Sequence, residues 1–315
     1  MSPPYRRGLH ELGDGLFAYL QPDGSWGWSN AGLVSEGDHC LLIDTLFDLR
    51  LTEAMLRQMR DAVPAAARFD ALVNTHSNGD HWFGNQLVPT SRILATSRCL
   101  EEMVKLPPAA LAEMVEAGPD LGTAGAYLRE IFAPFELSGI TPTPATETFE
   151  AELSLTVGSR EVHLRDLGPA HMGSDVIAYV PSARVVFTGD LLFVGGHPMT
   201  WAGPSENWIR ALDHILALDV ETVVPGHGPV TDKEGVATLK AYWLHLRGEA
   251  RQRYDAGLPP LAAARDIPLG DFAGWTDRER VVANVMALYR EFAGGGEPAT
   301  PLELFAQMAA FRALQ

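Results

Sequence analysis

The stretch NTHSNGDHW, residues 74–82, sets two histidines, an asparagine and an aspartate within the six positions His76 to His81. Imidazole nitrogens and a carboxylate at this density are donors for a divalent cation, and one short loop gathers them with little loss of chain entropy. Gly79 gives the backbone freedom for a sharp turn between Asn78 and Asp80. The residues just before, FDALVNT, read as a short buried strand, so the loop starts at a strand end.

Working outward, more loops carry the same kinds of side chain just past apolar runs: Asp44 in LLIDT, His171 and Asp175 in LGPAHMGSD, Asp190 in VVFTGDLL and His227 in VVPGHGPV. One histidine in a loop is ordinarily structural. A succession of them at strand ends points to one site held on rigid supports. Histidine and carboxylate without cysteine suit Zn²⁺ first, with Fe or Mn as alternatives. Cys40 and Cys99 lie beside apolar residues and read as buried reduced thiols.

Residues 16–22 alternate like a strand, and AGLVSEGDHCLLID reads as two strands around EGDH. Over residues 50–63, Leu51, Met55, Leu56 and Met59 share one helical face, with Thr52 as a cap. SRILAT is a strand, and residues 100–140 read as a helical insertion broken by Pro and Gly. LSLTVGSREVHLRDLG is a hairpin, DVIAYVPSARVVFTGDLLF two more strands, NWIRALDHILAL an amphipathic helix and ETVV a strand. From residue 233 the chain is helical, with stops at Pro259–Pro260 and Gly294–Gly296. Mixed strands and helices predict α/β layers: a domain over 1–232 and a helical extension, 233–315, packed on it.

A chain of 315 residues, 46% hydrophobic and 20% charged, can bury a full core without disulfides. The net charge of −16 argues against a nucleic-acid partner, which needs clustered Lys and Arg. There is no apolar leader and no run of about 18 apolar residues, so a cytoplasmic protein with no membrane span is expected. The amphipathic helices VVANVMALYREF and LELFAQMAAFRAL must bury their apolar faces within the chain or across a homodimer, and the homodimer is expected.

Taken together, HSNGDH, His171, Asp190 and His227, in this order, resemble the signature of the metallo-β-lactamase-fold hydrolase superfamily, with the motifs spread over about residues 15–232. The resemblance implies a four-layer αββα sandwich with metals at one edge. It implies one metal held by His76, position 78 and His171, a second by Asp80, His81 and His227, Asp190 bridging them, and Asp44 in support. The departure is Asn78, where the family has histidine. Three roles stay open for it: a weaker amide-oxygen ligand, no ligand at all, or a hydrogen-bonding partner of a water or substrate oxygen. Within the superfamily, GSWGWSNAG, THSNGDHWFGNQ, GPAH and VVPGHGPV look most like a bacterial group that includes aromatic-polyketide cyclases with thioesterase activity.

The expected chemistry is hydrolysis. Zinc-activated hydroxide attacks the carbonyl of an ester, thioester or lactone, and Asp80 and Asp190 act as the catalytic carboxylates. Asp190 resembles the bridging aspartate of thioesterase and lactonase members, where β-lactamases have Cys or Ser. The alternatives are a cyclase/thioesterase acting on a carrier-bound chain, or a binding protein with a weakened metal site. Trp26, Trp28, Trp82, His197 and Trp201 are expected around the pocket of an apolar or aromatic small-molecule substrate, with core packing the competing reading for Trp28 and Trp82, and plain loop exposure that for His197.

Overall fold

The strand His39–Ile43 shows how the layers arise: Cys40 and Leu42 join one apolar core, and Leu41 and Ile43 join another. Side chains of a strand alternate between faces, so a strand apolar on both needs cover on both. The computed structural model describes residues 2–313.

The first sheet runs, in spatial order, β1 (Gly8–Gly13), β2 (Leu16–Leu20), β3 (Ala31–Glu36), β4 (His39–Ile43), β5 (Ala71–Val73), β6 (Ile93–Thr96) and β7 (Glu147–Phe149). Neighbours from β1 to β4 are antiparallel, and those from β4 to β7 are parallel. The second sheet holds β8 (Glu152–Val157), β9 (Arg160–Asp166), β10 (Val176–Val180), β11 (Val185–Phe187) and β12 (Thr222–Val224), with β11 and β12 parallel. The sheets face each other through one core: Leu16, Val34, Leu41, Ile43 and Val73 from the first meet Val162, Leu164, Ala178 and Phe187 from the second.

Helices cover the outer faces. On the first sheet, α1 (Leu49–Ala62) buries Leu51, Met55, Leu56 and Met59, each such side chain contributing about 2 kcal/mol by leaving water. Between β6 and β7 come α2 (Ser97–Lys105), α3 (Pro108–Glu116) and α4 (Gly122–Phe132). On the second sheet, α5 (Ser205–Ala217) buries Trp208, Leu212 and Ile215. Then follow α6 (Lys233–Asp255), α7 (Pro260–Asp266), α8 (Arg280–Phe292) and α9 (Pro301–Arg312). The α6 helix packs on α5 and α8, and α9 lies against α4 and α8. The result is the αββα sandwich with a helical insertion and helical C-terminal part.

The apolar faces of α8 and α9 are buried within the chain, through Val281, Val285 and Leu288 and through Leu304, Phe305, Met308 and Phe311. No helix of the described residues is long and apolar enough to cross a membrane. The cap of α1 is Asp48, which accepts from the Leu51 backbone N–H at 2.6 Å. Thr52 lies a turn further on, where its hydroxyl bonds to Leu46. Gly79 does not adopt a left-handed turn. It is required by close approach, since a Cβ there would sit 2.6 Å from the Phe83 ring.

Candidate metal centre

The parallel strands deliver their following loops to one edge of the sandwich. Asp44 follows β4, the 76–81 loop follows β5, Asp190 follows β11 and His227 follows β12, while His171 comes from the β9–β10 connection. The structure brings together two sets of donors, His76 with His171 and Asp190, and Asp80 with His81 and His227, the atoms of each set lying within 4.8 Å of one another. Asp190 stands between the sets. Its Oδ2 is 3.8 Å from Nε2 of His76, 3.3 Å from that of His171 and 3.4 Å from that of His227, and its Oδ1 is 3.1 Å from Nε2 of His81. Asp80 Oδ2 lies 3.3 Å from Nε2 of His227.

All four imidazoles are oriented alike. Asp44 accepts from Nδ1 of His81 at 2.9 Å, the Met199 carbonyl from His171 at 2.6 Å and the Gly24 carbonyl from His227 at 2.9 Å. Thr75 Oγ1 gives its own hydrogen to Asp44, so it accepts from Nδ1 of His76 at 3.0 Å. Every Nε2 is thereby turned to the centre. Nε2 of His76 and of His81 and Oδ1 of Asp190 are buried with no hydrogen-bond partner. Buried polar atoms of this kind are costly unless something fills the space between them, and nitrogen and carboxylate donors with fixed outer hydrogen bonds suit a divalent cation.

Electrostatics divide the cluster. Burial pushes His171 down to about 4, against the pull of Asp190, and holds His76 well below the usual imidazole range, with His81 adding to the effect. Burial also opposes charge on His81 and His227. There Asp190 outweighs it, helped by Asp44 and Asp80 at His81 and by Asp80 at His227, so His81 rises well above its usual value and His227 to about 9. Despite burial, His227 and His81 keep Asp190 well below the carboxylate range, and His81 and His227 lower Asp80. Both carboxylates are anionic at neutral pH.

Asn78 points inward, with Oδ1 2.6 Å from Nε2 of His171. The Nδ1 hydrogen of His171 is committed to Met199, so Nε2 offers a lone pair. Two acceptors this close need a proton between them, so the contact calls for the amide turned to present Nδ2 to the ring nitrogen.

Of the remaining sequence candidates, Asp175 is not a member of either set. It accepts from the Ala170 and Met172 backbone N–H groups at 3.0 and 3.1 Å and so shapes the His171 loop. Asp44 likewise acts from behind, accepting from Thr75 N at 2.7 Å as well as from His81. Gly226 carried no signal in the sequence, yet a Cβ there would come within 2.0 Å of Asp190 Oδ1.

Above the donors opens an apolar cavity of about 300 Å³. Asn78, Asp80, His171, Asp190 and His227 form its floor, Trp26 and Trp201 stand in its wall, and Leu111, Phe132, Leu304 and Phe305 close over it. Trp28, Trp82 and His197 do not line it. Trp82 is core, its Nε1 donating to the Ser77 carbonyl at 2.9 Å. Trp28 packs on Phe135, its ring centroid 4.7 Å away, under the Arg7 guanidinium. His197 is fully buried against Tyr242 and Trp275, because α6 and α8 cover its loop. Arg280, unmarked in the sequence, lines the cavity with its guanidinium 4.1 Å from the Trp26 ring centroid.

The family model described as "Metallo-beta-lactamase superfamily" matches residues 24–227. The chain belongs to that superfamily. Among curated proteins, it is 36% identical over 98 residues to the probable metallo-hydrolase YqgX of Bacillus subtilis, covering 30% of this chain and 46% of that one. It is 34% identical over 102 residues to the probable hydroxyacylglutathione hydrolase glo2 of Schizosaccharomyces pombe, covering 31% and 38%. The chain thus spans less than half the length of either curated relative. Among solved structures, the stereoselective inverting sec-alkylsulfatase Pisa1 from Pseudomonas sp. aligns with TM-score 0.68 and 19% identity over 95% of this chain and 52% of that one. A metallo-beta-lactamase from Pontibacter korlensis aligns with TM-score 0.56 and 16% identity over 76% and 99%. At such identities the likeness is one of fold. Coverage of 95% means that the first of these alignments extends into the C-terminal helices.

Proposed function

We propose that this superfamily member is a metal-dependent hydrolase of an ester, thioester or lactone whose remainder is apolar or aromatic. The observation that carries the reading is the set of buried, partnerless Nε2 and carboxylate atoms converging on Asp190 at the floor of an apolar cavity. Zinc is the metal this donor set fits first, held by Asp80, His81, His227 and Asp190, with His76, His171 and the Asn78 amide as the second position. A bound divalent cation supplies Lewis acidity and lowers the pKa of water to about 7.

The chain's own residues do the rest. Asp80 is anionic and lines the cavity, so its carboxylate accepts a hydrogen bond from the attacking water and fixes its direction. The donated Nδ1 hydrogens hold each imidazole in one tautomer. Trp26, Phe132 and Phe305 exclude bulk water and bury the apolar part of the substrate.

The test is metal content per chain by mass spectrometry together with turnover of aryl esters, acyl thioesters and lactones, before and after chelation. Metal-dependent turnover lost in Asp80→Ala is expected. Equal activity in a metal-stripped sample would overturn the proposal.

A further inference from the structure

Arg280 is the one Lys or Arg among the residues lining the cavity, and only 2% of it is exposed. Its guanidinium is poorly employed. Nη1 donates to the His197 carbonyl at 3.1 Å and lies 3.4 Å from Asp277 Oδ2. Nε is buried without a partner, and no hydrogen bond from Nη2 is found among the described residues. Asp277 is shared, since its other oxygen accepts from Ser25 and Thr276 also donates to it. A guanidinium has five N–H donors, and leaving several unpaired in an apolar place is costly. In the same corner Trp26 Nε1 is a second buried donor without a partner, its ring lying under the guanidinium.

This corner is joined to the metal floor by Phe193. That ring stacks on His227, centroids 5.0 Å apart, and lies 5.8 Å from the Arg280 guanidinium carbon. A molecule filling the cavity therefore meets the donors of the floor and, across the Phe193 ring, a cation with spare N–H groups.

We infer that the substrate is an apolar molecule bearing an acidic group, a carboxylate, remote from its scissile bond, and that Arg280, with Trp26 Nε1, binds that group. A carboxylate takes two parallel N–H donors from a guanidinium side by side, the pattern Nε and Nη2 present. The inference deepens the hydrolase reading and rests on it for which end of the cavity reacts.

The experiment compares aryl half-esters of straight-chain dicarboxylic acids, from succinate to sebacate, with aryl esters of the monocarboxylic acids of equal length. At the best length the acid-ended ester is expected to show roughly 30-fold higher kcat/KM, mostly through KM. Arg280→Met should collapse that ratio to about one, Arg280→Lys should keep part of it, and Trp26→Phe should lower it about fivefold. A merely structural arginine would lower both rates and leave the ratio alone. No preference for the acid-ended ester at any length, or a ratio unmoved by Arg280→Lys and Trp26→Phe, overturns the inference, and the last two decide it should Arg280→Met not fold. Calorimetry on metal-loaded protein separates it from the hydrolase reading. Dicarboxylates binding more tightly than monocarboxylates, with the difference lost in the variants, support Arg280 even where no ester is turned over. Turnover without acid preference leaves the hydrolase and removes the inference.

Discussion

The floor and the roof of the cavity are built on opposite principles. The floor is polar, and each of its histidines is fixed by a hydrogen bond behind it, as Asp44 fixes His81 and Met199 fixes His171. The roof is apolar and made of helices from distant parts of the chain. Phe305 of α9 is its meeting point, packed at 5.7 Å from Trp26, 5.8 Å from Trp201 and 6.5 Å from Phe132, centroid to centroid. The floor depends on exact direction, since a cation or a developing charge loses much of its stabilisation when one donor is misdirected. The roof depends on area and exclusion of water, which many side chains supply. Floor changes should therefore reduce turnover of every substrate, and roof changes should act on which substrates are held.

The sharpest way to break this division is Asp190→Ala. Asp190 touches all four histidines, so both metal positions should empty and kcat should fall at least about a thousandfold on every substrate. Metal analysis and steady-state rates check it. A substrate-selective loss would mean that the floor also sorts substrates.

The matching change in the roof is Phe305→Ala. It removes a nearly buried ring at the junction of α4, α9 and the Trp26 wall, and should cost about 3 kcal/mol of stability by urea unfolding. KM for long apolar esters should rise about tenfold while kcat for the smallest ester holds. A fall in kcat alone would place Phe305 with the floor.

The two regions also differ in how far the sequence foretells them. Ligand-type residues at the ends of β4, β5, β11 and β12 form an ordered pattern, because metal chemistry admits few side chains and strand ends admit few positions. The roof has no such code. Leu111, Leu304 and Phe305 look like any buried helix face, and what brings residue 305 to residue 26 is the packing of α9 on α4, a contact far apart in sequence. The same blindness misplaces His197: GGHPMTW reads as an open loop until α6 and α8 are known to cover it. Local competition explains smaller differences. Asp48 and Thr52 are both capping residues, and only the backbone path selects Asp48. The pattern GLHELG is too weakly apolar to announce β1, which becomes a strand by pairing with β2.

His197 supplies a pH test of the roof's support. Burial, then Arg280, pushes its imidazole down to about 4, while the unfolded chain keeps about 6.5. Between these values the unfolded state binds more protons, so stability is full above pH 6.5, falls as pH drops, and levels off below about 4. The loss should reach about 3 kcal/mol. His171 contributes in the same direction from the floor in metal-free protein, so the measurement is the part of the acid slope that His197→Gln removes. An unchanged slope would assign the acid sensitivity to the floor alone.

The smallest expected effect lies within the floor. Asp80, His81 and His227 form one set of donors and His76, His171 and Asp190 the other. In the proposed site the Asn78 amide, beside His171, stands at the second of these as a weaker donor to zinc than imidazole. Asn78→His should tighten that position about tenfold and leave the other unchanged, as read by competition with chelators of graded affinity. The amide oxygen and His171 Nε2, 2.6 Å apart, then have to separate to admit a larger ring, so the gain is bounded by how far the Met199 hydrogen bond lets His171 move. Two cations held equally tightly by the unaltered chain would show that the amide is already a full ligand, and that the floor is one site made of two equivalent halves.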